Sequence, residues 1–249
     1  MIPKLIMFDL DGTLARSKQA IDANMGDLIA KLLGETNVSV VSGGALSQFL
    51  KQVVAQLPPD ANLDNLYILP TSGAALYEHE NGEWKKIYEE RLTEKESHII
   101  ESAMRAVSAE THIIDFSTPA YGERIEYRGG QMTLSALGQH APIEKKMQWD
   151  PTRVKRNTLQ GMLASRLPEF SVSMGGITSI DVTKAGIDKA YGVHQLCERL
   201  GIKESDTLYI GDELGPGGND EAAHKTAAQT KNVKDPSETA ALIESILNP

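Results

Sequence analysis

The chain of 249 residues is long enough for one large domain or two modules, and its 41% hydrophobic content is sufficient for a buried core. Its formal net charge of −9 argues against a general nucleic-acid-binding protein, which needs a basic surface to neutralise phosphates. The single cysteine, Cys197, excludes an internal disulfide. No apolar run approaches the ~18 residues of a membrane span and no leader pattern precedes the first strand, so we expect a soluble cytoplasmic protein without a membrane partner.

The first part of the chain alternates short apolar runs with amphipathic stretches. The predicted elements are, in order, strand Leu5–Phe8, helix Ile21–Leu33 with Gly34 as its stop, strand Val38–Val41, helix Ala45–Leu57 and strand Leu66–Leu69. Such alternation indicates βαβ units and a parallel sheet. Asn81-Gly82 then lies between the strand-like segments Ala74–Tyr77 and Trp84–Tyr88, which is a strong hairpin signal.

The pattern changes in the middle of the chain, where Thr93 and Glu96 form a capping box that opens a helix reaching about Val107. The other elements predicted there are strands Arg124–Arg128, Gln131–Leu137, Phe170–Met174 and Ser179–Val182, and a helix between Pro151 and Leu167. The first pattern resumes with helix Ile187–Leu200, strand Thr207–Ile210 and helix Ser237–Leu247. We interpret the chain as a doubly wound, Rossmann-like α/β core, residues 1–88 and 186–249, with an inserted α+β module, residues 89–185.

The most informative segment is Asp9-Leu10-Asp11-Gly12-Thr13, which directly follows the first strand. In open α/β sheets, ligands bind at the carboxyl ends of the strands. Alternate residues of an extended segment face the same side, and a turn at Gly12 would bring Asp11 over Asp9. Asp9 could then attack a phosphoryl group while Asp11 moves protons. The alternative of an EF-hand calcium loop fails, because it needs a glutamate at its twelfth position, where this chain has Ala20.

Two further segments offer groups that suit a phosphate. Ser42-Gly43-Gly44 follows the second strand, so a hydroxyl and a flexible backbone can approach a phosphate closely. Lys189 stands at the start of a predicted helix, where its ammonium would neutralise phosphate charge and hold the carboxylate of Asp9. We therefore include Ser42 and Lys189 in the candidate catalytic set, and Gly43 and Gly44 in the candidate binding set.

A further loop adds carboxylates near Asp9. Asp212 follows the strand Thr207–Ile210, and Asn219 and Asp220 close the same loop. Together with Asp9 and Asp11, these groups form a hard-oxygen cluster that is suited to Mg²⁺. Four carboxylates crowded together without a cation would repel one another strongly, so the sequence predicts a magnesium site.

The order of these motifs is similar to that of the haloacid dehalogenase (HAD) superfamily, with a large α+β cap inserted between the second and third motifs. More narrowly, the chain resembles the eukaryotic-type phosphomannomutase family. The segments that carry this resemblance are Asp9–Leu14, Ile125–Gly130, Ser173–Val182, Asp188-Lys189 and Gly211–Asp220.

The resemblance implies a role for each matched residue. Asp9 would be the phosphorylated nucleophile and Asp11 the general acid and base. Mg²⁺ would be held by Asp9, the backbone carbonyl of Asp11 and Asp212, with support from Asn219 and Asp220. The cap residues that would contact a phosphorylated sugar are Arg128, Ser179 and Asp181; Arg124 is added as a candidate substrate-binding residue because of its place in the same predicted strand as Arg128. A homodimer formed through the cap is a further expectation.

The chain also departs from the family pattern. Mutases of this family present several arginines to the phosphate held by the cap; Arg128 remains, but Gln139 and Tyr121 stand where other arginines are expected. Lys18 replaces the arginine near the first loop, and Ser42 is more typical of sugar phosphatases. Glutamine cannot hold phosphate with the forked donors of a guanidinium. Arg124 would share a face with Arg128 in a strand and could compensate in part.

From these departures we rank three possible functions of the protein. Mg²⁺-dependent hydrolysis of sugar phosphates through an aspartyl-phosphate intermediate comes first, because a phosphatase does not need a second phosphate site. A phosphohexomutase of the phosphomannomutase kind is the alternative. A phosphosugar-binding module without catalysis is the third, and the presence of both Asp9 and Asp11 counts against it, since binding alone needs neither a nucleophile nor an acid.

Overall fold

The computed structural model describes residues 2–248 and divides into two compact units. One contains the residues up to Glu89 together with those from Asp188 onward, and the other is Glu90–Ile187. The strands are β1 Leu5–Asp9, β2 Asn37–Val41, β3 Leu66–Leu69, β4 Ala75–Glu80, β5 Glu83–Glu89, β6 Ile125–Tyr127, β7 Gln131–Ser135, β8 Phe170–Met174, β9 Ser179–Lys184, β10 Thr207–Gly211 and β11 Gln229–Asn232. The α-helices are α1 Ala23–Glu35, α2 Leu46–Gln52, α3 Glu94–Thr111, α4 Ile143–Trp149, α5 Val154–Arg166, α6 Lys189–Leu200 and α7 Pro236–Leu247.

The first unit is built on one sheet with the strand order β11-β10-β1-β2-β3-β4-β5. The neighbouring strands from β11 to β3 are parallel, and the hairpin β4–β5 adds two antiparallel strands at one edge. Since β1 lies between β10 and β2, the loops that follow β1, β2 and β10 leave the sheet side by side. This arrangement brings the predicted motif segments to the same edge, as expected for a doubly wound sheet.

Helices cover both faces of this sheet because its central strands are apolar on both sides. Ile6 and Phe8 pack into a cluster with residues of α1, α2 and α7. Leu5 and Met7, which alternate with them, pack into a second cluster with residues of α6. Continuous apolar strands of this kind are typical of buried parallel sheets. The α/β fold class predicted from the sequence is therefore confirmed.

The second unit is an antiparallel sheet, β6-β7-β9-β8, with helices on one face. Ile180 and Val182 of β9 pack into a cluster with residues of α3 and α5. Ser179 and Asp181 alternate with these residues and therefore lie on the opposite face of the sheet. At the start of α3, Thr93 and Glu96 form the predicted capping box.

Several of the helix and strand boundaries predicted from the sequence are wrong. Gly34 does not stop α1, which continues to Glu35 and is capped by Thr36. The second helix is shorter than predicted: α2 ends at Gln52, and a short 3-10 helix, Val54–Gln56, follows it. Helix α4 and the edge strand β11 were not predicted, since a seven-residue helix and a short polar strand carry little periodicity.

None of the helices within residues 2–248 combines the length and the apolar character needed to cross a membrane.

Candidate active site

Three carboxylates meet where β1 and β10 end. Asp9 is the last residue of β1, Asp212 follows β10, and Asp220 closes the loop after it. The strands are adjacent and parallel, with Phe8 opposite Ile210, so their ends coincide. One oxygen of each carboxylate lies within 4.8 Å of the others, which is the spacing of groups that share a cation.

Lys189 links two of these carboxylates. It is the first residue of α6, whose N-cap is Asp188, and its side chain is buried. Its ammonium donates to Asp9 Oδ1 at 2.6 Å, to Asp220 Oδ1 at 2.7 Å and to Asn219 Oδ1 at 2.7 Å. Since an ammonium has three donors, Lys189 is fully hydrogen-bonded and its position is fixed by these three acceptors.

Two glycines permit this close packing. Gly12 has φ +97°, and a Cβ at that position would lie 2.3 Å from Asp212 Oδ2. A Cβ on Gly211 would lie 2.5 Å from Asp220 Oδ2. Any side chain at these positions would therefore displace a carboxylate of the site.

The proton affinities of the site reflect burial and crowding. Burial is the largest effect on Asp9 and, together with Asp220 and Asp212, raises the pKa of its carboxyl well above the usual range, although Lys189 opposes this. Burial, Asp220 and Glu213 likewise raise the pKa of Asp212 to about 6. Burial alone would lower the pKa of Lys189, but Asp220 and Asp9 outweigh it and the net shift is upward. The three acceptors around its ammonium thus favour the charged form of Lys189.

The residues present fit a divalent metal ion. Asp9 Oδ2 is buried and has no hydrogen-bond partner among residues 2–248. Asp212 is oriented by the hydroxyl of Thr13, which donates to its Oδ1 at 3.1 Å. Closely spaced carboxylate oxygens, one of them buried without a partner, are the donor set that Mg²⁺ prefers in proteins.

The expectation that four carboxylates converge is wrong, because Asp11 does not join the group. The backbone N–H of Lys18 donates to Asp11 Oδ1 at 2.5 Å, and the ammonium of Lys18 lies 3.9 Å from Asp11 Oδ2. Lys18 has φ +61°, and this left-handed turn aims its N–H at the carboxylate. The loop thus holds Asp11 to one side of Asp9, Asp212 and Asp220.

The Ser42-Gly43-Gly44 segment lies beside Asp9, since Val41 is paired with Asp9 in the sheet. The hydroxyl of Ser42 is buried and accepts from the N–H of Gly44 at 3.4 Å. The segment is fastened to the turn after β3, where the N–H groups of Thr71 and Ser72 donate to the carbonyls of Gly44 and Ser42. This turn was not predicted; Thr71, Ser72 and Gly73 all have positive φ in it.

Ser179 and Asp181 are held by the neighbouring strand β7 of the second unit. The hydroxyl groups of Ser179 and Ser135 lie 3.0 Å apart. Thr133 donates to Asp181 Oδ1 at 2.8 Å. Both predicted binding residues therefore have fixed side-chain positions.

Arg124 and Arg128 do not share a strand face, because β6 spans only Ile125–Tyr127 and both arginines lie outside it. Arg124 donates to the carbonyls of Ala136 and Thr118 and stacks over Phe116. Its guanidinium thus connects loops within the second unit. These contacts do not support the expectation that Arg124 replaces the phosphate-binding arginines missing at Tyr121 and Gln139.

Arg128 is part of a polar cluster with Glu126 and Gln139. Its guanidinium donates twice to Glu126 Oε2, from Nε at 2.9 Å and from one terminal nitrogen at 2.6 Å, and to Gln139 Oε1 at 3.1 Å. Gln139 Nε2 is buried, and within the described part of the chain it has no acceptor. The cluster offers a guanidinium already paired with a carboxylate, together with an amide donor that needs an acceptor.

The structure adds one residue that sequence reasoning did not include in the site. Tyr209, in the middle of β10, is fully buried and its hydroxyl donates to Asp220 Oδ1 at 2.6 Å. The available signal was a tyrosine between two aliphatic residues of a predicted strand, because a buried phenol usually needs a hydrogen-bond partner.

Comparisons with known proteins identify the family of the chain. The sequence model of the eukaryotic phosphomannomutase family matches residues 25–249. Phosphomannomutase 2 of Dictyostelium discoideum is 26% identical over 249 residues, which cover 96% of this chain and 94% of that protein. The phosphomannomutase of Saccharomyces cerevisiae is 26% identical over 251 residues, with 98% and 94% covered.

Solved structures show the same fold at low sequence identity. An IMP-nucleotidase of Plasmodium falciparum superposes with a TM-score of 0.73 at 18% identity, over 99% of this chain and 68% of that one. A haloacid dehalogenase-like hydrolase of Bacteroides thetaiotaomicron superposes with a TM-score of 0.63 at 17% identity, over 98% and 99%. With a HAD-type fold and a family match over most of its length, the chain belongs to the eukaryotic phosphomannomutase family.

Proposed function

We propose that this protein hydrolyses phosphate monoesters of sugars through a covalent phosphate on Asp9. The observation that carries the proposal is the state of the Asp9 carboxylate. One oxygen is held by Lys189 at 2.6 Å, and the other is buried without a partner in the described residues. A carboxylate positioned in this way has an oxygen available for an incoming phosphorus or for a metal ion.

The chemistry needs two steps. An oxygen of Asp9 bonds to phosphorus while the bond from phosphorus to the sugar oxygen breaks, and Asp11 donates the proton that the leaving oxygen takes up. Asp11 then accepts a proton from water, whose oxygen bonds to phosphorus as the bond to Asp9 breaks and releases phosphate. Lys189 offsets the negative charge that the phosphoryl oxygens bring, and Ser42 with Gly43 and Gly44 binds those oxygens.

Mg²⁺ is the cofactor that we propose for this site. Asp9, Asp212 and the backbone carbonyl of Asp11 would hold it, with Asn219 and Asp220 behind them. When bound, the ion supplies positive charge that neutralises the carboxylates and the phosphate.

Phosphohexomutase activity is the second candidate, and the family match favours it. A mutase must also hold a phosphate at the far end of its substrate. We place hydrolysis first because Arg128 is already paired with Glu126, and the residue beside it where the family pattern has an arginine is the neutral Gln139. Loss of a charge-assisted contact of ~1.5–3 kcal/mol weakens the retention of a second phosphate. A protein that only binds phosphosugars remains the third and least favoured candidate, and a homodimer through the second unit stays a prediction.

The test compares two reactions of one purified sample. Phosphate release from a panel of hexose phosphates is measured alongside conversion of hexose 1-phosphates to 6-phosphates with a hexose bisphosphate as primer, with Mg²⁺ present. We expect phosphate release to dominate. Primed interconversion with little phosphate released would make the mutase the answer.

The nucleophile is tested with Asp9→Asn, and Asp27→Asn serves as the control because it makes the same change on an exposed helical residue. An amide cannot form an acyl phosphate, so Asp9→Asn should abolish both reactions and the binding of beryllium fluoride, while Asp27→Asn should change neither. Wild-type turnover by Asp9→Asn would show that the nucleophile is assigned wrongly.

A further inference from the structure

Tyr209 places a phenol hydroxyl beneath the catalytic cluster. The side chain is fully buried in the second apolar cluster of the first unit, where it packs among residues of β1, β3 and α6. Its only polar atom, the hydroxyl, reaches Asp220 Oδ1 at 2.6 Å. The ring therefore belongs to the core, while the hydroxyl contacts the group that also anchors Lys189.

Asp220 is the most completely hydrogen-bonded of the three carboxylates. Its Oδ1 accepts from Tyr209 and from Lys189 at 2.7 Å, and its Oδ2 accepts from the backbone N–H of Glu213 at 3.1 Å. Asp9, by contrast, keeps one buried oxygen without a partner among the described residues. Asp220 is thus fixed by hydrogen-bond donors of the protein, whereas Asp9 and Asp212 keep oxygens that are available to a cation.

Lys189 is shared among Asp9, Asp220 and Asn219 at nearly equal distances. The position of the ammonium therefore depends on how strongly each acceptor attracts it. The hydrogen bond from the Tyr209 hydroxyl disperses part of the negative charge on Asp220. Asp220 therefore attracts Lys189 less strongly, and Asp9 competes better for the ammonium. Without this donor, Asp220 would draw Lys189 more strongly and would have an oxygen free to turn toward a cation.

We infer that Tyr209 is a positioning residue, which keeps Asp220 from drawing Lys189 away from Asp9 or turning toward a cation and so leaves Asp9 and Asp212 as the metal-binding carboxylates. The inference rests on the proposed roles of Asp9 and Lys189. It predicts an unusual combination: removal of the hydroxyl slows phosphoryl transfer, but does not weaken metal binding. Removal of a direct metal ligand would do both.

The experiment uses Tyr209→Phe in the full chain, with Tyr67→Phe as its control. Tyr67 lies in β3 and belongs to the same apolar cluster, so its variant also removes the hydroxyl of a buried tyrosine. For Tyr209→Phe we expect turnover of a hexose phosphate to fall about tenfold with KM within about twofold of wild type. The dissociation constant for Mn²⁺, titrated calorimetrically without substrate, should stay the same or decrease, whereas Asp212→Ala should increase it.

Two outcomes would overturn the inference. Turnover of Tyr209→Phe equal to that of Tyr67→Phe would show that the hydroxyl is merely a satisfied polar group of the core. A weaker affinity for Mn²⁺ in step with slower turnover would show that Tyr209 supports the metal site and not Lys189. If Asp9→Asn is inactive in either case, the proposed function stands and only the role of Tyr209 fails; activity in Asp9→Asn would remove the proposed function itself.

Discussion

Replacement of Gly12 by alanine tests whether the loop after β1 sets the position of Asp212. Gly12 combines two constraints, a left-handed φ of +97° and a Cβ position only 2.3 Å from Asp212 Oδ2. Gly82, in the turn of the β4–β5 hairpin, has a similar φ of +83° but open space around its Cβ position. The two glycines therefore separate backbone strain from contact with the site.

The expected magnitudes follow from these constraints. A non-glycine residue in the left-handed region costs ~1–2 kcal/mol, so Gly82→Ala should lose about that free energy of unfolding, and Gly12→Ala should lose more because its Cβ also clashes with Asp212. Ordinary contacts of a Cβ begin near 3.4 Å, so Gly12→Ala must move the Asp212 carboxylate by roughly an ångström. A displacement of that size in a catalytic group lowers turnover by about a hundredfold.

The assays are thermal unfolding and phosphate release at saturating Mg²⁺, carried out on Gly12→Ala and Gly82→Ala in parallel. We expect both variants to lose stability, Gly12→Ala the more, with loss of turnover confined to Gly12→Ala. If Gly12→Ala retains turnover equal to that of Gly82→Ala, the close approach of the loop to Asp212 is irrelevant to catalysis.

Two further variants test the electrostatics. The pKa of Asp212 is raised to about 6, so between about pH 4 and pH 6 its carboxyl takes up a proton when the protein folds. In the presence of a chelator, this proton uptake stabilises the folded protein fully below about pH 4, and the stabilisation is lost as the pH rises through about 6. The melting temperature of metal-free wild type should therefore fall relative to that of Asp212→Asn across this range, and a constant difference would contradict the raised pKa. Gln139→Arg should tighten the binding of a hexose bisphosphate about tenfold, because it places the forked donors of a second guanidinium beside Arg128. The ratio of mutase to hydrolase turnover should rise as well. An unchanged ratio would show that Gln139 does not decide between the two reactions.

Local patterns determined most of the fold. The apolar run before Asp9, the strand Leu66–Leu69 and the hairpin at Asn81-Gly82 were all found from periodicity and turn chemistry, since each depends on neighbouring residues alone. The elements that were missed, α4 and β11, are short and weakly periodic. Such elements form because the rest of the fold offers them a partner; β11, for example, pairs with β10 at the edge of the sheet.

The sequence by itself also determined which residue types meet at the carboxyl edge of the sheet, because motifs that follow parallel strands must share that edge. Apart from the contact between Lys189 and Asp9, it did not determine which of those groups touch. Only the tertiary structure showed that Lys18 draws Asp11 aside, that Lys189 also holds Asp220, and that Tyr209 reaches the site from within the core. Contacts of this kind depend on side-chain directions and on φ values such as that of Lys18, which are fixed by packing between segments far apart in the chain.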